Sequence, residues 1–265
     1  MAIRRRGERS PRGSQAAAAA FVLLIAGTAS CGGQADFVRL TRDEQLVAAR
    51  RDLAEREWSR AATRFQTLSG LLDGTPLYAE VKYGLGKSYT GLGDYPAAER
   101  ELNTVIREYP DSEWADDALF TLAEALWDQS KPSQLDQTVT NQTIEKLREF
   151  INRYPESDRM TDAQALLAKA RGRLAQKEYD NGALYLRLGD TIAARAYFAS
   201  VLQEYADTEW AAAAQFGMAE ADRKDGKLDA AADGYRAVAS TWPSSELARR
   251  SEERLRELET KKAGS

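Results

Sequence analysis

The chain has 265 residues, of which 43% are apolar and 29% are charged, and its net charge is −4. This apolar content is enough for a packed core and excludes wholesale disorder. The absence of histidine excludes Ser-His-Asp and Cys-His catalysis and every histidine-liganded metal site. A single cysteine excludes an intramolecular disulfide and a cysteine-cluster zinc site. We therefore expect a protein that uses no metal or other cofactor.

The N-terminal 30 residues have the pattern of an export signal. Five arginines within 1–15 precede the apolar run AAAAAFVLLIA at 16–26. This run is too short for a permanent membrane span, which needs about 20 residues. A basic segment followed by a short apolar run predicts a signal peptide over 1–30.

The small residues Thr28, Ala29 and Ser30 stand directly before Cys31, an arrangement that resembles a bacterial lipobox. That resemblance implies cleavage before Cys31 and lipidation of its thiol, followed by a tether over 31–41. The mature chain would have 235 residues, with 32 basic and 40 acidic side chains and a net charge of −8. Such an acidic chain argues against general nucleic-acid binding, which requires a basic face.

The remainder of the chain, from residue 42 to residue 245, repeats one pattern. Four segments end alike, in VIREYPDSEWA, FINRYPESDRM, VLQEYADTEWA and VASTWPSSELA. A small residue stands eleven positions before the aromatic residue of each ending, and a large apolar residue stands seven positions before it. In the four copies these pairs are Ala98 and Leu102, Thr143 and Leu147, Ala194 and Phe198, and Ala231 and Tyr235. Ala61 and Phe65 fit the same spacing in an earlier, fifth copy, whose ending is degenerate.

This pattern resembles the tetratricopeptide repeat (TPR), a helix–turn–helix unit of 34 residues. The resemblance implies an all-α fold, a right-handed solenoid of five TPRs over 42–245 with a C-terminal capping helix at 246–265. In the second repeat, Gly86 and Ala98 are small where the two helices would cross. Gly93 suits a helix end with positive φ, and Asp94 suits a helix N-cap.

The spacing between repeats predicts two irregularities. Equivalent positions lie 37, 45, 51 and 37 residues apart. The eight extra residues of the second interval fall in 128–138, whose serines and proline predict a loop. The fourteen extra residues of the third interval make about four helical turns, so we expect one long helix over about 158–188.

The first helices of TPRs commonly line the ligand groove, and five residues there suit a peptide with an aromatic end and a free carboxylate. Arg50 and Lys87 could pair with the carboxylate, while Tyr83, Phe120 and Trp127 could contact the aromatic group. The alternative is that Tyr83 and Phe120 only pack within the array. The sequence GLGKSY around Gly86 lacks the earlier glycine of a phosphate-binding loop, so we expect no nucleotide site. Because the chain has no histidine and no convergent cluster of acidic residues, we also expect no enzyme activity.

The order of these features resembles the BamD family, the TPR lipoproteins of the outer-membrane β-barrel assembly machinery. The most specific stretch is 135–190, including Tyr154, Pro155, Ser157, Glu178 and Tyr185. This resemblance implies a lipid-anchored scaffold on the periplasmic side of the outer membrane. Its partners would be the periplasmic POTRA domains of a BamA-like barrel protein, other assembly-complex lipoproteins and unfolded outer-membrane proteins. The alternative is another periplasmic TPR adaptor, in cell-wall or Tol–Pal-type coordination.

Overall fold

The computed structural model describes residues 36–263, and no β-strand occurs within them. The predicted signal peptide and the lipidation candidate Cys31 lie outside the described residues. A short helix covers 36–39, within the predicted tether. Eleven longer helices follow in the described chain: α1 (Arg42–Ala54), α2 (Trp58–Leu71), α3 (Tyr78–Leu92), α4 (Tyr95–Glu108), α5 (Ala115–Gln129), α6 (Thr138–Arg153), α7 (Met160–Leu188), α8 (Thr191–Glu204), α9 (Trp210–Lys224), α10 (Leu228–Thr241) and α11 (Glu246–Ala263).

Each helix from α1 to α11 packs against the next one along the chain. The pairs α1–α2, α3–α4, α5–α6, α7–α8 and α9–α10 form five helix–turn–helix units, and α11 covers α10 and part of α9. First helices of neighbouring units also pack directly, in the pairs α1–α3, α3–α5 and α7–α9. The predicted fold class, an all-α TPR solenoid, is confirmed.

The core consists of the residues that define the repeat. The five large residues, Phe65, Leu102, Leu147, Phe198 and Tyr235, are at most 1% exposed. Their five small partners are completely buried: Ala61, Ala98, Thr143, Ala194 and Ala231. A helix pair cannot bury these side chains alone, so stacking of the units closes the core.

Glycine followed by aspartate forms two of the turns between paired helices. Gly93 ends α3 with φ 75°, and the side chain of Asp94 accepts a hydrogen bond from the Ala97 backbone N–H at 3.2 Å. Gly189 ends α7 with φ 93°, and Asp190 caps α8 in the same way at 2.9 Å. Left-handed backbone suits glycine, and the aspartates satisfy N–H groups that the first helical turn leaves unpaired.

The two irregular intervals have distinct structures. The eight-residue insertion lies at the connection 130–137 between α5 and α6, and the fourteen-residue insertion lies in α7, which is 29 residues long and continuous. None of the helices within 36–263 combines the length and apolarity needed to cross a bilayer.

The close crossing of α3 and α4 predicts a large effect of side-chain volume at Gly86. A Cβ atom there would lie 2.7 Å from the Leu102 side chain and 3.3 Å from the Leu102 backbone nitrogen. We expect Gly86→Val to lower the free energy of unfolding by about 1–3 kcal/mol, measured by urea denaturation, because the two helices must separate.

Gly172 provides the matched control for this prediction, since a Cβ atom there has no neighbour within 4 Å. Gly172→Ala should leave stability unchanged or raise it by about 0.5–1 kcal/mol, as expected for a glycine inside a helix. Equal losses from the two substitutions would contradict the close-crossing argument.

Candidate peptide-binding groove

A groove runs along the first helices of the first three repeats and reaches the start of α7. Its first cavity has a volume of about 320 Å³ and is lined by residues that include Arg50, Tyr83 and Lys87. A second cavity of about 990 Å³ continues from it and includes Lys87, Glu124 and Trp127. Leu53, Ala54 and Lys87 belong to both linings, so the two cavities form one groove.

Arg50 lies on one wall of the first cavity and is engaged by a carboxylate of the protein itself. Its guanidinium holds Glu80 through two hydrogen bonds, from Nε to Oε1 and from Nη2 to Oε2, the latter at 2.6 Å. The Glu80 side chain is only 6% exposed. The bond to Glu80 raises the pKa of Arg50. An incoming carboxylate must therefore compete with Glu80 for this arginine.

Tyr83 and Lys87 lie next to each other on α3. Tyr83 is buried and stacks on Trp114, with ring centroids 5.1 Å apart. The Lys87 ammonium donates to the Tyr83 hydroxyl at 2.9 Å. Within residues 36–263, no carboxylate lies within ion-pair distance of Lys87. Of the two predicted groove cations, Arg50 is engaged by Glu80, and Lys87 is the one whose charge remains available to a ligand.

Phe120, a predicted groove residue, lines neither cavity. It is 3% exposed, and its ring packs 5.7 Å from the Phe150 ring. The guanidinium of Arg159 covers it, 5.7 Å from the ring centroid, and donates from Nε to Asp117 at 3.1 Å. Arg159, which covers the Phe120 ring, lines the first cavity, whereas Phe120 does not. A direct contact between Phe120 and a ligand stays a prediction.

Arg159 is a groove residue that the sequence reasoning missed. It precedes α7 and is far from the other lining residues along the chain. The hydroxyl of Ser157 donates to Asp116 at 2.6 Å and fixes this turn against the start of α5. The repeated ending at 150–160 indicated a turn, but its position against the third repeat depends on tertiary packing.

The second cavity combines an aromatic wall with acidic residues. Trp127 is partly buried near the end of α5, and Glu124 lies one turn before it. Desolvation raises the pKa of Glu124, although the nearby charges of Arg159 and Lys87 oppose that shift. Among the described residues, no cluster of three or more acidic, histidine or cysteine side chains is placed to hold a metal ion. The groove therefore presents aromatic surface together with charges of both signs.

Comparison with known proteins identifies the family. The family model described as "YfiO: Outer membrane lipoprotein" matches residues 40–237. The chain is 26% identical over 241 residues to the outer membrane protein assembly factor BamD of Caulobacter vibrioides, covering 87% of this chain and 79% of that protein. The crystal structure of a thermophilic TPR protein from Thermus thermophilus matches with a TM-score of 0.37 and 19% identity, covering 81% of this chain and 99% of that one. Since the family match spans most of the chain, the protein belongs to the YfiO family of outer membrane lipoproteins.

Proposed function

We propose that the protein is a non-catalytic scaffold of the outer-membrane β-barrel assembly complex. The family match over residues 40–237 carries this proposal, and the similarity to an assembly factor from Caulobacter vibrioides supports it. A solenoid of stacked helix pairs offers extended surfaces to several proteins at once. In this role the protein docks the periplasmic domains of a BamA-like barrel protein, contacts other assembly lipoproteins and receives unfolded outer-membrane proteins.

The proposed location is the periplasmic side of the outer membrane, with Cys31 carrying the lipid. The basic segment, the apolar run and the small residues before Cys31 support this part of the proposal. Each buried methylene of an attached acyl chain contributes about 0.8 kcal/mol to membrane binding, so several chains give firm anchoring.

The proposed substrate contact is the groove that contains Arg50, Tyr83, Lys87 and Trp127. An aromatic peptide end would lie on the apolar wall near Tyr83 and Trp114, and its carboxylate would meet Lys87. Aromatic residues supply contact area at low entropic cost, while the cation fixes the orientation of the chain end. Arg50 and Arg159, already paired with carboxylates, would hold the walls of the cavity.

Conditional depletion in the native bacterium tests the assembly role. We expect depletion to reduce the folded, heat-modifiable fraction of outer-membrane barrel proteins, and the wild-type copy to restore it. A copy carrying Cys31→Ala should be processed incorrectly and restore assembly poorly. Normal barrel levels together with a cell-wall or Tol–Pal-type defect would overturn the proposal and support the adaptor alternative.

A binding measurement tests the groove separately. A fluorescent peptide with a C-terminal phenylalanine and free carboxylate should bind the purified full chain, and its C-terminally amidated form should bind less tightly. Lys87→Gln should weaken binding of the free-acid peptide by about tenfold, as expected for loss of one charge-assisted hydrogen bond. It should leave binding of the amidated peptide nearly unchanged. Equal affinity for both peptides would show that Lys87 does not bind the carboxylate.

A further inference from the structure

A cleft adjoins the second cavity of the groove, with which it shares Trp127 and Lys169, and it lies between the middle of α7 and the turn that precedes α9. Its volume is about 450 Å³, and Trp127 and Trp210 contribute aromatic rings to its lining. The Trp210 ring packs 5.1 Å from the Tyr179 ring, so the structure holds it in place. Gly172 lines the cleft, where a Cβ atom would have no neighbour within 4 Å, and this leaves room for another chain.

The strongest positive feature of this cleft is Arg173. Its guanidinium lies over the Trp127 ring, with Cζ only 3.7 Å from the ring centroid. It donates hydrogen bonds to the Ser130 hydroxyl and the Lys131 carbonyl, both of which are neutral acceptors. Within the described residues, no carboxylate lies at ion-pair distance from Arg173, in contrast to Arg50 and Arg159. Desolvation lowers the pKa of Arg173, as expected for a cation that lacks a compensating charge.

Two lysines extend this positive charge along α7. Lys169 lies four residues before Arg173 and lines the same cleft, and Lys177 lies four residues after it. Residues four apart share one helix face. Lys177 donates to the Leu135 carbonyl at 2.9 Å, and Lys169 has no ion pair among the described side chains. The three cations thus form a row that the protein does not neutralise by direct ion pairs.

The cleft lining has two cations and two carboxylates, and an arginine outside the lining already engages one of these carboxylates. Asp207 is held by Arg171 through two hydrogen bonds, at 2.5 Å and 3.0 Å, and the same arginine donates to the Glu204 carbonyl. Glu209 is the remaining carboxylate of the lining, against the two lining cations Lys169 and Arg173. The charge of the cleft is therefore complementary to an acidic ligand.

We infer that this cleft is a docking site for an acidic, extended segment of a partner protein, whose carboxylates meet Arg173 and Lys169 while its chain lies between Trp127 and Trp210. An arginine that is already stacked on an aromatic ring is preorganised for a carboxylate, because its planar fork is fixed before binding. The concave shape suits a polypeptide segment better than a flat membrane surface. The central residue of this inference, Arg173, lines neither cavity of the groove, so the inference stands whether or not the groove receives unfolded outer-membrane proteins.

Binding of a short fluorescent peptide of alternating aspartate and alanine to the purified full chain tests this inference. We expect saturable binding that weakens with salt, because exposed charge pairs are screened. Arg173→Gln should weaken binding by about tenfold, since a charge-assisted pair is lost. Lys169→Gln should weaken it by a smaller factor. Lys169 makes no hydrogen bond within the described chain, so this second variant should fold even if Arg173→Gln loosens the 130–137 connection.

Arg187→Gln is the matched control, because Arg187 lies on the same helix, is exposed and is absent from the cleft lining. It should bind the peptide as the wild-type chain does. Equal weakening by Arg187→Gln, or no saturable binding of the peptide, would overturn the inference. Binding to anionic phosphatidylglycerol vesicles is the third measurement. If the chain bound these vesicles in an Arg173-dependent way and did not bind the peptide, the cleft would be assigned to lipid instead.

Discussion

Phe198→Ala is expected to lower the free energy of unfolding by about 3–5 kcal/mol, the range for truncating a fully buried phenylalanine. The ring of Phe198 is 1% exposed and lies between two helices that approach it through glycine. A Cβ atom at Gly182 of α7 would lie 2.7 Å from this ring, and one at Gly217 of α9 would lie 2.5 Å from it. Backbone on both sides cannot collapse fully into the space, so a cavity should remain.

Ile192→Ala, on the same helix, is the control for Phe198→Ala. Ile192 is 77% exposed, and its truncation should change stability by less than about 0.5 kcal/mol. Both variants should be compared by urea denaturation at a fixed temperature. A loss below about 1 kcal/mol for Phe198→Ala would contradict the packing of the fourth repeat against the fifth.

Glu220→Ala is expected to lower the free energy of unfolding by about 1–3 kcal/mol, because it leaves the hydroxyl of the buried Tyr235 without its acceptor and removes the shared partner of two half-buried arginines. Glu220 accepts hydrogen bonds from the Tyr235 hydroxyl at 2.7 Å, from Arg223 at 2.6 Å and from Arg254 at 2.9 Å. Arg254 belongs to α11, so this carboxylate joins the capping helix to α9. Hydrogen exchange within Glu246–Ala263 should therefore rise in the variant. Glu257→Ala removes an exposed partner of the same arginine and should cost less than about 0.5 kcal/mol.

The pH dependence gives a second measurement on Glu220. Burial by itself would raise the pKa of Glu220, but hydrogen bonds from Arg223 and Tyr235 and the charges of Arg223 and Arg254 outweigh it and lower the pKa. A carboxylate with a lowered folded pKa stabilises the protein above its unfolded pKa, about 4.3, and that stabilisation is lost as pH falls through the folded value. The stability difference between wild type and Glu220→Gln should thus be largest near neutral pH and shrink in acid. A difference that is independent of pH would contradict this account.

Much of the fold could be predicted from the sequence because each repeat carries the same local constraints. The small and large residues at fixed spacing before each aromatic residue are all in the core. The turn residues Gly93 and Asp94 have the positive φ and the capping hydrogen bond that their chemistry predicts. A fourteen-residue insertion preserves the buried face of a helix, and α7 is continuous over 29 residues.

The groove was less predictable, since its lining depends on how the units stack. The positions of Arg50, Tyr83 and Lys87 within the repeats predicted that they face one groove, and all three line the first cavity. The same positions did not predict that Glu80 engages Arg50. Arg159 comes from the turn before α7, and no local pattern marks it as part of the first cavity. Arg173 was also missed, because its contact with Trp127 depends on where the inserted 130–137 connection packs.

The central claim, a scaffold role in outer-membrane barrel assembly, is tested most directly by purifying the protein with its partners. The lipidated full chain should be captured from outer membranes in mild detergent, and the retained proteins should be identified and quantified by mass spectrometry. We predict recovery of a barrel protein with periplasmic POTRA domains in near-stoichiometric amount. Enrichment of cell-wall or Tol-type proteins without such a barrel protein would contradict the account.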